Sequence, residues 1–181
     1  MNNGERIEWR RKFLVEGLPE PLTRASSHLQ YHDNYIHDTR LRLRTDRNPD
    51  TKEWLYVLQR IEDGAKDGAP FRCIAELYMA EREYAQFQIF EGNEIRKNRY
   101  FHKIDGVEYA YDVYIGELWG LNTVQAFFEN AEAMKAYVPR QEFLLEVTGI
   151  EFFTGASLFD KKITDVQGKI AELTGSAIAV Q

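Results

Sequence analysis

Arginine recurs at every second position in residues 39–45, where Arg40, Arg42 and Arg44 alternate with leucine and threonine. Side chains of a β-strand point alternately to its two faces, so the three arginines share one face. A guanidinium group presents a planar fork of N–H donors that matches two phosphate oxygens. The segment therefore predicts a strand with one phosphate-binding face.

Four further segments carry charged side chains on one face of a predicted strand. Residues 7–15 place Glu8, Arg10 and Lys12 together, opposite a mainly apolar face. Residues 71–76 carry Arg72 and Glu76 on one face, and residues 95–102 carry Lys97 and Arg99. Residues 107–115 carry Asp112. Several predicted strands thus have the same division into a charged and an apolar face.

This division has two structural interpretations. If the charged faces point outward, the strands form an ordinary half-buried sheet and the charges are solvated. If the faces converge inward, many like charges share one interior, and an anion is needed to neutralise them. Polyphosphate is the natural match for such a group of arginines and lysines. The alternation by itself leaves both interpretations open.

The other elements of the chain must position these charged faces. Most connections between the predicted strands are short, which favours antiparallel pairing. Helical patterns occur in residues 77–90, in residues 131–137 after an Asn130 cap, and in an amphipathic segment at about residues 160–175. We expect an α+β fold in which roughly eight antiparallel strands form a closed or nearly closed barrel with flanking helices. The predicted strands lie at residues 7–15, 29–31, 39–45, 54–58, 71–76, 95–102, 107–115, 122–128 and 143–148.

Composition restricts the class of protein. The chain has 181 residues, 44% hydrophobic and 29% charged, which suits one globular domain over residues 1–181. The net charge of −6 argues against nucleic-acid binding, which favours basic proteins. Cys73 is the only cysteine, so no intrachain disulfide can form and a cytoplasmic location is expected. No apolar run has the length of a membrane span, so no membrane association is expected.

Taken in order, these segments resemble the CYTH superfamily, the triphosphate tunnel metalloenzymes. Residues 7–15, IEWRRKFLV, resemble the family's opening Glu-x-Glu-x-Lys strand, and residues 40–42 resemble its Arg-x-Arg strand. Residues 95–100, IRKNRY, resemble its Lys-x-Arg strand. Residues 111–121, YDVYIGELWGL, resemble the stretch Asp-Val-Phe-x-Gly-x-Leu-x-Gly-Leu, and residues 146–148 resemble a late Glu-Val-Thr. The resemblance spans residues 5–160 with compatible spacing.

The resemblance implies an eight-stranded barrel whose tunnel binds a triphosphate through basic side chains. Acidic side chains would hold one or two divalent cations, Mg²⁺ or Mn²⁺. Known members hydrolyse inorganic triphosphate or thiamine triphosphate, or cyclise ATP in an adenylate cyclase reaction. Arg72 is a further candidate for phosphate binding, and Arg44 shares the face of the arginine pair. Carried over by position, the phosphate-binding residues are Lys12, Arg40, Arg42, Lys97 and Arg99.

Several acidic positions of the family are replaced in this chain. Arg10 stands where the opening strand has its second glutamate, Ile74 replaces another, and residues 125–127 read Gln-Ala-Phe where Glu-x-Glu is expected. Because a divalent cation needs several oxygen ligands, these changes predict a weak or single metal site. Arg10 can supply part of the missing positive charge, which places it with Glu8 and Lys12 among the catalytic candidates. The remaining candidate metal ligands are Glu8, Glu76, Asp112 and Glu146.

Three functions remain open from the sequence. The first is a phosphohydrolase with one metal, acting on inorganic triphosphate or on an organic tri- or polyphosphate. The second is a catalytically degenerate tunnel that binds a phosphorylated metabolite, a nucleotide or polyphosphate as a sensor or accessory protein. The third is an enzyme for other anionic or aromatic substrates, in which Phe127 offers a stacking surface. The sequence does not indicate an oligomeric state.

Overall fold

Eight strands form a closed antiparallel barrel in the computed structural model, which describes residues 5–66, 68–90 and 94–175. The strands are β1 Arg6–Leu14, β2 Leu29–Tyr35, β3 Leu41–Arg47, β4 Trp54–Lys66, β5 Ala69–Met79, β6 Glu94–Ile104, β7 Val107–Tyr114 and β8 Asn122–Phe128. Around the barrel they follow the order β1-β5-β4-β3-β2-β6-β7-β8, and β8 pairs again with β1. The α+β barrel predicted from the sequence is confirmed.

β1 closes the barrel because it pairs along both of its edges. Residues 9–14 pair with β8, and residues 6–9 pair with β5. Residues 13–14 pair with a short ninth strand, β9 (Leu145–Glu146), which continues the edge beyond β5. All of these pairings are antiparallel. Alternate side chains of each strand therefore face the interior of the barrel or its outer surface.

The apolar core lies on the outer face of the barrel wall and at one end of the barrel. One buried cluster includes Phe13, Tyr111 and Val124, which belong to the outer faces of β1, β7 and β8. A second cluster includes Leu14 and Phe153 and joins the end of the barrel to later parts of the chain. The inner faces instead hold these buried polar or charged side chains: Asp33, Arg42, Arg44, Gln59, Lys97, Arg99, Asp112, Thr123 and Gln125. The charged faces of the strands therefore point inward.

The C-terminal elements cover one end of the barrel. Leu158 and Val166 from these elements are buried in the same cluster as Leu14 of β1. The elements are a 3₁₀ turn at Glu151–Phe153, α3 at Gly155–Leu158 and α4 at Ile163–Thr174. The helix predicted at about residues 160–175 is confirmed as α4, which ends at Gly175 in a left-handed conformation. None of the helices in the described ranges has the length and hydrophobicity needed to span a membrane.

Gly155 lets the C-terminal elements approach the barrel closely. A Cβ atom at this position would overlap the hydroxyl group of Tyr35, the last residue of β2. The same hydroxyl accepts a hydrogen bond from Arg42 Nη1 at 3.1 Å, which restricts its movement. We expect Gly155→Ala to lower the free energy of unfolding by about 1–3 kcal/mol, measured by chemical denaturation.

Gly168→Ala in α4 is the matched control for this variant. Its added Cβ would meet no heavy atom of the described residues beyond its own helix. Because alanine forms helices better than glycine, the control is expected to gain up to about 1 kcal/mol. Equal stability of Gly155→Ala and the wild type would contradict the close approach.

Two predicted elements are not formed as predicted, and several strands extend beyond their predicted ends. Residues 77–90 are not one helix, because β5 continues to Met79 and is followed by α1 (Glu81–Tyr84) and a 3₁₀ turn (Ala85–Phe90). Pairing of Met79 with Tyr56 of β4 outweighs the helix propensity of the segment. The strand predicted at residues 143–148 is reduced to the two residues of β9.

Candidate anion-binding tunnel

The inner faces of the strands enclose a cavity of about 590 Å³ with charged walls. The carboxylates that line it belong to Glu8, Asp33, Asp63 and Glu151. The described residues contribute eight basic side chains to its wall: Arg6, Arg10, Lys12, Arg42, Arg44, Arg72, Lys97 and Arg99. The structure thus brings together every basic residue predicted for the site except Arg40.

Asp33 is the buried counter-ion of the two inward-facing arginines on β3. Arg44 donates to its two carboxylate oxygens at 2.6 and 2.8 Å, and Arg42 Nη1 lies 3.4 Å from Oδ2. Burial by itself would raise the pKa of Asp33, but the two arginines hold it far below its ordinary value. Arg42 also donates to the amide oxygen of Gln59 at 2.8 Å. Both oxygens of Asp33 therefore lie beside arginine donors.

Asp112 has the same role for the basic residues of β6. Arg99 donates to its two oxygens at 2.6 and 2.7 Å, and Lys97 Nζ donates at 2.8 Å. Gln125 Nε2 donates to the same carboxylate at 3.0 Å. Burial opposes ionisation, but Arg99 and Lys97 outweigh it and hold the pKa of Asp112 far below its usual range. The carboxylate is therefore ionised and occupied by protein donors.

Arg10 and Lys12 of β1 face the cavity without a carboxylate partner. Arg10 Nη1 donates to the amide oxygen of Gln125, and Lys12 Nζ donates to the main-chain carbonyl of Phe153 at 2.7 Å. Within the described residues, neither side chain forms a salt bridge. Both groups keep donors that no carboxylate of the described ranges accepts.

Burial and mutual repulsion lower the pKa values of this group. Burial, followed by the charge of Arg72, lowers the pKa of Arg10 to about 9. Burial and the neighbouring Lys97 and Arg10 hold the pKa of Lys12 well below its ordinary value. Burial and then Arg99 lower the pKa of Lys97 to about 8, against the opposing effect of its carboxylate partner. The interior thus has an excess of positive charge, which a bound anion would neutralise.

Arg72 lies on β5, where it pairs across the strands with Glu8 of β1, two residues from Arg10. It donates to both oxygens of Asp63 at 2.6 and 2.5 Å. Asp63 lies towards solvent, with half of its side chain exposed. Arg72 therefore has a carboxylate partner and still raises the positive potential around Arg10.

Four predicted site residues are not among the described residues that line the cavity. β3 begins at Leu41, so Arg40 precedes the strand and its exposed side chain pairs with Glu62. Glu146 lies beside the outer face of β1, where Arg11 donates to its two oxygens at 2.7 and 2.5 Å. Contrary to the prediction, Arg40 and Glu146 therefore lie away from the tunnel. Glu76 and Asp112 are not part of the described lining either.

The other predicted metal ligands are engaged by basic side chains. Asp112 is occupied as described, and Glu8 and Glu76 both form salt bridges with Arg6. Gln59 Nε2 also donates to Glu76 at 2.5 Å. Across the described ranges, no three side chains of histidine, cysteine, aspartate or glutamate are placed to hold one metal ion. The donors therefore do not fit the divalent-cation site that the sequence resemblance implies.

Four charged residues of the cavity wall have no counterpart among the predicted site residues: Arg6, Asp33, Asp63 and Glu151. Asp33 lies two residues after Tyr31 and on the same face of β2, beyond the predicted end of this strand at residue 31. Asp63 lies on β4, which extends past the predicted end at residue 58. Arg6 shares the face of Glu8 but precedes the predicted start by one residue. Longer predicted strands would have revealed these three residues, whereas Glu151 lies in the 3₁₀ turn Glu151–Phe153.

Aromatic rings form a second kind of surface in the tunnel. The guanidinium carbons of Arg44 and Arg99 lie 4.0 and 5.0 Å from the ring centroid of Tyr31. Phe101 and Phe127 line the cavity from the strands on either side of β7, and Phe101 is 56% exposed. Phe127 is the cross-strand neighbour of Arg10. Flat apolar surface therefore adjoins the unpaired cations.

Comparisons with known proteins identify the class of fold. No family model matches the chain, and no curated protein matches it. Among solved structures, the inorganic triphosphatase NE1496 is 23% identical, with 83% of this chain and 93% of that chain covered and a TM-score of 0.57. A structure described as the hypothetical protein NE1496 is 22% identical, with 86% and 99% covered and a TM-score of 0.59. The likeness establishes a shared barrel fold and agrees with the CYTH-like fold predicted from the sequence.

Proposed function

We propose that this protein is a tunnel phosphohydrolase that acts on inorganic triphosphate or on an organic tri- or polyphosphate. The observation that carries the proposal is the position of Arg10 and Lys12, two cavity-lining cations without a carboxylate partner among the described residues. A solved structure of the same fold is described as an inorganic triphosphatase, which makes inorganic triphosphate the first substrate to test.

The electrostatic argument favours a ligand with several adjacent negative charges. A partly buried cation without a counter-ion is costly, and repulsion from neighbouring cations adds to the cost. Successive phosphoryl groups can accept hydrogen bonds from Arg10, Lys12 and Arg72, which are contributed by two adjoining strands. The cavity volume of about 590 Å³ falls within the range of small-molecule sites. A linear polyphosphate satisfies both the charge and the space.

Hydrolysis would use the same cations to stabilise the leaving group. A water molecule attacks the terminal phosphorus, the bond to the bridging oxygen breaks, and negative charge develops on the departing phosphate. Arg10 and Lys12 are fixed donors for that charge. Burial opposes ionisation of Glu8, but Arg10 and Arg6 lower its pKa, so its carboxylate can orient a water molecule as an acceptor.

Binding without turnover is the second candidate function. It is favoured by the state of the inner carboxylates, since Asp33, Asp63 and Asp112 are all occupied by arginine or lysine. Such a protein would sense or carry a phosphorylated metabolite, a nucleotide or polyphosphate. Phe101 and Phe127 offer stacking surface for a ligand with an aromatic head group.

The two functions are separated by measuring phosphate release and binding on the same protein. We expect inorganic triphosphate to bind in calorimetric titration and to release phosphate in a colorimetric assay, with magnesium, with manganese and with a chelator. Arg40→Ala is expected to bind triphosphate and release phosphate as the wild type does, since the Arg40 side chain is exposed outside the tunnel. Binding without phosphate release in any condition would support the second function, and the absence of both would contradict the proposal.

A further inference from the structure

Arg6 lies between two carboxylates at the N-terminal end of β1. Its Nη2 lies 3.0 Å from Glu8 Oε1, its Nε donates to the same oxygen at 3.2 Å, and its Nη1 pairs with Glu76 Oε2. Glu8 follows Arg6 on the inner face of β1, and Glu76 comes from the adjoining β5. Two acidic side chains from neighbouring strands therefore converge on one guanidinium group.

Three other inner carboxylates are held in the same manner. Asp33 is bound by Arg44, Asp63 by Arg72, and Asp112 by Arg99 and Lys97. A divalent cation of the Mg²⁺ or Mn²⁺ type requires about six oxygen ligands with near-octahedral geometry. It would have to displace a charged donor at each of these positions. Glu8 and Glu76, the pair bridged by Arg6, are also two of the metal ligands that the sequence resemblance implies.

We propose that the guanidinium group of Arg6 takes the place of a divalent cation between Glu8 and Glu76, so that the tunnel binds its phosphorylated anion without a metal. The inference rests on the proposed function, because it concerns how the same tunnel neutralises its ligand. Arg6 balances the two carboxylates, which would otherwise repel an anionic ligand. The unpaired Arg10 and Lys12 then face the ligand directly.

The first test measures the affinity for inorganic triphosphate in the presence of a chelator. We expect the wild-type protein to bind triphosphate by calorimetry when no divalent cation is available. We also expect Mn²⁺ added to the protein to keep the electron paramagnetic resonance signal of the free ion. Binding that requires Mg²⁺ or Mn²⁺ would overturn the inference and leave the proposed function standing. The absence of binding in every condition would overturn both.

The second test removes the guanidinium group with Arg6→Gln. The variant frees Glu8 and Glu76, so we expect weaker triphosphate binding in chelator and a loss of the free Mn²⁺ signal as the ion binds. Arg60→Gln is the matched control, because Arg60 is an exposed arginine that pairs with Glu62 outside the tunnel. Circular dichroism of each variant checks the fold. Wild-type affinity of Arg6→Gln in chelator, without Mn²⁺ binding, would contradict the role of Arg6.

Discussion

Lys12→Met is expected to weaken triphosphate binding strongly while the protein keeps its stability or gains some. Methionine retains most of the side-chain volume but removes a charge that burial, Lys97 and Arg10 all disfavour. The lost hydrogen bond to the Phe153 carbonyl offsets part of this gain. Without ligand, we expect the free energy of unfolding either to rise or to fall by no more than about 1 kcal/mol.

In contrast to its small effect on stability, Lys12→Met should reduce the affinity for triphosphate strongly. Among the described residues, Lys12 lines the cavity without a carboxylate partner, so its loss should weaken affinity about 100-fold, or about 3 kcal/mol. Thermal unfolding with and without triphosphate measures both effects in one experiment. Lys103→Met is the control, because Lys103 lies on β6 with 65% of its side chain exposed. A Lys12→Met protein that is strongly destabilised, or that binds as the wild type does, would contradict this account.

Triphosphate affinity is expected to fall as the pH rises above about 8. In the free protein, burial and then Arg99 lower the pKa of Lys97 to about 8, and burial also lowers the pKa of Lys12. A bound polyanion favours the charged form of each lysine and raises its pKa. Below about pH 8 Lys97 is already protonated in the free protein, and above that pH binding must take up a proton. The contribution of Lys97 to affinity is therefore full below about pH 8 and decreases above it, by up to about tenfold per pH unit.

Calorimetric titration across pH 7 to 10 would measure this dependence. Titration in two buffers with different ionisation enthalpies would show the proton uptake directly. Lys97→Arg is the matched variant, since arginine keeps the charge over this range and should flatten the part of the slope that Lys97 contributes. Ionisation of triphosphate itself only increases its negative charge as the pH rises, so it would strengthen binding. Affinity that stays constant or increases up to pH 10 would contradict the coupling.

The strands and the basic residues of the tunnel could be predicted because both follow from period-two alternation. Lys12, Arg42 and Lys97 each belong to a segment in which every second residue is charged, and a closed barrel directs one set of alternate positions inward. The interpretation of these faces as inward, which alternation alone left open, is the one that the barrel adopts. Local pattern was sufficient wherever the strand was long and regular.

Period-two alternation gave wrong predictions where the position of a residue depended on the end of a strand or on pairing with a distant strand. Arg40 continues the alternation of β3, but the strand begins one residue later and leaves it exposed. Glu146 belongs to a two-residue strand, too short for its position to be read from periodicity. Helix-forming residues at 77–79 instead extend β5, since β4 provides a pairing partner that the local sequence does not reveal.

Pairing of the inner carboxylates could not be predicted from the sequence because it depends on strand register. Asp33 faces Arg44 across β2 and β3, and Asp112 faces Arg99 across β6 and β7. A shift of either pair by one residue would have placed the partners on opposite faces. The same register leaves Arg10 and Lys12 opposite Phe127 and Gln125, which carry no charge. The distinction between paired and unpaired cations is thus a property of the folded barrel.

A crystal structure of the protein with inorganic triphosphate, grown in the presence of a chelator, tests the central claim most directly. The account predicts phosphate oxygens within hydrogen-bond distance of Arg10 and Lys12 inside the barrel, with Arg6 still bound to Glu8 and Glu76. Triphosphate bound on the outer surface, or a cavity that remains free of it at saturating concentration, would contradict the account.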